Sequence, residues 1–74
     1  MKDYIERLTE LRIDNDLTQK EIARILNTFQ TTVSKYELRQ RKLQIEDLRT
    51  LCLYYRVSAD YVLGLPADLP YPGR

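Results

Sequence analysis

Four side chains in this 74-residue chain combine type and spacing in a chemically useful way: Gln30, Thr31, Ser34 and Lys35. A glutamine amide can pair two-point with adenine N6 and N7. A lysine ammonium can donate to guanine O6 and N7, and a threonine methyl can pack on a thymine methyl. Placed on a helix, these four fall on one side, opposite the apolar Val33 and Tyr36. Thr31 and Lys35 share one ridge, and Gln30 and Ser34 the next. That is the chemistry of reading base edges, and a helix so divided suits the DNA major groove. Gln30, Thr31 and Lys35 are expected to contact bases, with Ser34 supporting them. Thr32 lies at the boundary and is expected to touch the phosphate backbone.

Bond-making chemistry has little to draw on. The chain has no histidine and one cysteine, so the commonest general base, an internal disulfide and a cysteine–histidine zinc set are all missing. Cys52 falls in the apolar phase of a helix and reads as a small buried hydrophobe. No catalytic residue, cofactor or metal site is expected, and an enzyme is the poorest reading.

The helix that carries these residues has a partner just before it. Thr18 is a good N-cap, and Glu21 three residues on completes a capping box. Ile22, Ala23, Ile25 and Leu26 then follow at helical spacing. Asn27 supplies the left-handed turn at which this helix stops, and a second helix opens at Gln30. Gln19 and Gln30 stand at helix N-termini, where backbone N–H groups favour an anion.

Net charge is +1, but it is unevenly spread. Residues 18–42 carry six Lys or Arg against Glu21 and Glu37, a net +4, whereas residues 1–17 sum to −2 and residues 43–74 to −1. Gln19, Thr32, Arg39, Arg41 and Lys42 are therefore the expected phosphate contacts.

The stretch from Ile5 to Leu65 resembles the lambda-repressor and Cro-like proteins, the XRE family of helix-turn-helix domains. LTQKEIA, TVSKYE and VSADYVLGL carry the resemblance. Ala23 matches the family's small residue at the helix crossing. Ile22, Leu26, Val33 and Tyr36 match its apolar positions, and Thr18-Gln19 its motif start. Arg12 and Glu37 match a family ion pair tying the first helix to the recognition helix. The resemblance also implies dimer contacts near the fifth helix, at Tyr61, Leu63 and Leu65. The chain departs from the pattern in the turn, where Thr28 and Phe29 replace a small apolar residue and a capping Ser. It departs again after Glu37, where Leu38-Arg39 replaces a Gly stop, so the third helix is expected to run on toward Gln40. Phe29 is expected near the sugar–phosphate edge, within reach of a sugar or a thymine methyl.

The expected fold is all-α, a compact five-helix domain over residues 1–65 with a Pro-rich tail over residues 66–74. The first helix covers residues 2–15, with Ile5, Leu8 and Leu11 on one face and Leu17 buried just beyond. The fourth covers residues 45–55, with Ile45, Leu48, Leu51, Cys52 and Tyr55 as its buried stripe. Ser58 caps a fifth helix that Gly64 ends. The expected function is sequence-specific transcription regulation, as a repressor bound to double-stranded DNA at a palindromic operator as a homodimer. Alternatives are a protein-interaction module with little DNA binding and an antitoxin-type autorepressor. No apolar run is long enough for a membrane span and no secretory signal is visible, so the expected compartment is the cytoplasm, of bacterial or phage origin.

Overall fold

A computed structural model describes residues 2–66 and contains five helices. They are α1 (Tyr4–Asp14), α2 (Gln19–Leu26), α3 (Gln30–Glu37), α4 (Ile45–Tyr55) and α5 (Ala59–Leu63). The proposed tail lies outside the described residues beyond Pro66. Among the described residues no helix is long and apolar enough to cross a membrane.

Three of the five helix starts are fixed by side-chain caps. Asp3 accepts from the Glu6 N–H, Ser58 accepts from the Tyr61 N–H, and Thr18 with Glu21 forms the complete capping box. Phe29 and Gln44 occupy the other two N-cap positions without a side-chain hydrogen bond.

All five helix ends close in the same way. A residue in the left-handed conformation follows the last turn, and the next N–H reaches back to a carbonyl five residues earlier. The left-handed residues are Asp16, Asn27, Arg39, Arg56 and Gly64. The returning bonds are Leu17 N–H to Arg12 O, Thr28 to Ala23, Gln40 to Lys35, Val57 to Cys52 and Leu65 to Asp60. The third helix therefore does not run on to Gln40: it ends at Glu37, with Arg39 at φ 61° taking the position expected of glycine.

The core forms where α2 meets α3 and α4, sealed by α1 on α3 and α5 and by α4 on α5. Leu8, Ile22, Ala23, Val33, Leu48, Leu51, Cys52 and Val62 are its buried members. Ala23, the smallest of them, is buried on α2, which packs against α3. Val62 is completely buried although α5 is only five residues long. Leu17 is half-buried. The stripe expected on α4 needs one correction, because Ile45 is 73% exposed. It sits in the first residue of the helix and, with Leu53 and Leu63, lines a shallow apolar groove where α4 meets α5.

Candidate nucleic-acid interface

The orientation of α3 is set from inside. Thr32, Val33 and Tyr36 are its buried residues. Tyr36 donates its hydroxyl to the Asp47 carboxylate on α4 at 2.7 Å, which fixes the helix to its neighbour. Burial, then the Asp47 carboxylate, pushes the Tyr36 phenol up from its ordinary value. At the far end Glu37 accepts two bonds from Arg12, from Nε at 2.7 Å and from Nη2 at 3.1 Å, and a third from Gln19 Nε2 at 2.9 Å. Arg12 also donates to the Leu17 carbonyl at 3.0 Å. One partly buried carboxylate thus gathers α1, α2 and α3, and its lone pairs are well used. Removing either charge would strand the other, which costs more than losing a surface pair.

With the inner face fixed, Gln30, Thr31 and Lys35 stand exposed together on the outer face, and Ser34 is half-buried between them. None of the four has a side-chain hydrogen bond to another described residue. Thr32 departs from its expected position. It is 9% exposed and belongs to the inner face. The reason is periodicity: Thr32 and Tyr36 are four apart, so both lie on one ridge of the buried face.

The residues expected at phosphates divide into two groups. Arg41 and Lys42 are exposed in the loop after α3, and the Arg41 guanidinium lies 5.9 Å from the centre of the Tyr36 ring. Gln19 and Arg39 are engaged within the chain. Gln19 gives its amide hydrogen to Glu37, leaving its amide oxygen and its backbone N–H at the α2 terminus. Arg39 folds back on the start of α1, where Nε and Nη2 hold the Asp3 carboxylate at 2.8–3.2 Å and Glu6 lies 3.7 Å away. The bond from the Glu6 N–H, then the Arg39 contact, lowers the Asp3 carboxyl, and the bond to Asp3 raises Arg39. The positive charge around α3 is therefore smaller than the sequence sum, because Arg39 is matched by two acids from a different helix.

Tyr61, Leu63 and Leu65 are 49%, 45% and 47% exposed, whereas Val62 between them closes the core. Leu63 adjoins the groove formed with Ile45 and Leu53, so the apolar surface is wider than the three residues read from α5 alone. The long-range contacts of Asp3, Glu6, Asp47 and Arg7 were not expected from the sequence. Arg7 donates to the Tyr61 carbonyl at 2.8 Å and stacks near the Tyr61 ring, so it holds the end of α5. No local pattern marks these contacts, because their partners are 11 to 54 residues away.

Two short helices in this arrangement, the first capped by a box and the second presenting a polar outer face, define a helix-turn-helix unit. The family model described as helix-turn-helix matches residues 8–62. The chain belongs to that family, the XRE family of helix-turn-helix domains. It is 34% identical over 65 residues to the uncharacterized HTH-type transcriptional regulator YobD of Bacillus subtilis (strain 168), a match covering 88% of this chain and 58% of that protein. It is 41% identical over 59 residues to the HTH-type transcriptional regulator ImmR of the same strain, covering 80% of this chain and 46% of that protein. The chain spans about half the length of these curated relatives. No solved structure matches it.

Proposed function

We propose that this chain is a sequence-specific DNA-binding transcription regulator, acting as a repressor, that lays α3 in the major groove. The observation that carries the reading is the division of α3. Its inner face is fixed by Tyr36–Asp47 and by the Glu37 network, while Gln30, Thr31 and Lys35 stand exposed and uncommitted beside it. Side chains that read bases must be held by a rigid support yet keep their own donors and acceptors free. The relatives' description as transcriptional regulators agrees with this reading. Arg41 and Lys42, with the backbone N–H groups of α2 and α3, supply the sequence-independent phosphate contacts.

The reading includes a homodimer, its recognition helices about 34 Å apart to match one turn of DNA and a palindromic operator. Tyr61, Leu63 and Leu65, with Ile45 and Leu53, offer the apolar surface for it. A second reading, a protein-interaction module with this fold, draws on Gln19 and Arg39 being engaged inside the chain.

Fluorescence anisotropy with random-sequence duplex at low salt separates the two, because the interaction module would show no binding. Selection from a random pool then supplies a preferred duplex. On that duplex Gln30→Ala should cost about 1–3 kcal/mol and relax discrimination at one base pair. Equal losses on preferred and random duplex would move Gln30 to the backbone.

A further inference from the structure

Phe29 is 78% exposed, the most exposed large hydrophobic among the described residues. It occupies the N-cap of α3 with extended backbone (φ −94°, ψ 151°). Its carbonyl does the ordinary work of that position, accepting from the Thr32 and Val33 N–H groups. Its side chain does none: it accepts no capping bond and takes no part in the core. A Ser or Asp here would satisfy a free N–H of the first turn, as Thr18 and Ser58 do for α2 and α5. The fold thus forgoes a cap and leaves an aromatic ring in water at the same site. A local rule broken twice with no folding gain marks a functional position.

The position itself narrows the function. The ring precedes Gln30 and Thr31 by one and two residues, at the end of α3 that would enter the groove first. In the major groove the apolar feature presented by a base pair is the thymine 5-methyl group, which phenylalanine can contact. The ring lacks any donor or acceptor, so it can add nothing to recognition of the polar edges.

We propose that Phe29 is a specificity-determining residue that reads the 5-methyl group of a thymine next to the bases contacted by Gln30 and Thr31. This rests on the DNA-binding reading above. The ring and the methyl bury each other, and the site gains a preference for thymine at that base pair.

The test uses the preferred duplex selected from a random pool. Each thymine is replaced in turn by deoxyuridine, which removes the methyl and keeps every hydrogen-bonding group. The wild-type chain should lose about four-fold in affinity at one thymine per half-site, the worth of one buried methyl. Phe29→Ser should bind thymine and uracil duplexes equally, and it should melt about 4 °C or more higher because the cap is restored. Wild-type binding that ignores uracil at every position overturns the proposal. So does a Phe29→Ser chain that still senses the methyl, or one that melts lower, since the ring would then be part of the fold. A variant whose self-association changes instead, by sedimentation, assigns the ring to a protein contact. A wild-type chain that binds duplex but yields no preferred sequence defeats this proposal and the sequence specificity of the reading it rests on. One that binds no duplex at all removes the DNA reading as well.

Discussion

Tyr55 lines the same internal cavity as Arg12 and Glu37, and its hydroxyl is buried without a hydrogen-bond partner among the described residues. A buried hydroxyl in that state costs free energy, so the ring stabilises and its oxygen does not. Tyr55→Phe should keep the packing and raise stability by up to about 1 kcal/mol, measured by urea unfolding. Burial also pushes the Tyr55 phenol up, from the ordinary 10.0 to about 12. The folded state therefore favours the neutral phenol. That contribution is complete below pH about 10 and is lost as pH rises toward 12. Wild-type stability should fall more steeply than that of Tyr55→Phe between pH 10 and 12, and parallel curves would exclude Tyr55 as the source.

At the scale of elements, the helix stops set the most informative balance. Four of the five left-handed residues are not glycine. Asp16 and Asn27 suit that conformation, because short polar side chains tolerate it, whereas Arg39 and Arg56 do not. Arg56 has no ion pair among the described residues. Arg56→Gly should therefore stabilise the domain by about 1 kcal/mol, the relieved strain exceeding the added freedom of the unfolded chain. Arg39→Gly gains the same relief but loses the exposed contact with Asp3, a solvent-screened surface pair of small worth, and should come out near neutral. Arg39→Ala keeps the strain and loses the contact, so it should be the least stable of the three by thermal melting.

These stops also show where sequence reading succeeds. Asn27, Ser58, Gly64 and the Thr18–Glu21 box were legible because each acts within four residues of itself. Arg12–Glu37 was legible through the family pattern alone, since nothing local joins residues 25 apart. The end of α3 was misjudged because the missing glycine was read as a missing stop. The hydrogen bonds from Arg39 to Tyr36 and Gln40 to Lys35 close the helix regardless of the residue's preference. Thr32 was misplaced because a polar residue beside a polar face reads as outward, while its four-residue spacing from Tyr36 turns it inward. Arg39 and Ile45 depend on what neighbouring helices do, and no window along the chain contains that.

For the whole molecule, the α4–α5 surface is where the proposed homodimer is tested. Leu63 is 45% exposed, so a charge there should not disturb the core beneath it. Leu63→Glu should keep its circular dichroism and melting temperature while sedimenting as monomer at concentrations where the wild-type chain is dimeric. A wild-type chain that stays monomeric at high concentration and on its preferred duplex would end the homodimer reading. A variant that unfolds would instead make Leu63 part of the domain's own packing.

The pairing of α1 with α5 through Arg7 and Tyr61 has a consequence in time. The turn between α2 and α3, and the contact from Tyr36 to Asp47, close loops of a few residues to about ten. Such closures are fast, and helical domains dominated by them fold in microseconds to milliseconds. Joining α1 to α5 must instead close a loop of 54 residues, so it pays the larger chain entropy. The motif helices should therefore be largely formed in the rate-limiting state, with the seal between the first and last helices following it. Stopped-flow kinetics would then show Arg7→Ala accelerating unfolding with little change in folding rate. A truncated core substitution such as Val33→Ala should slow folding.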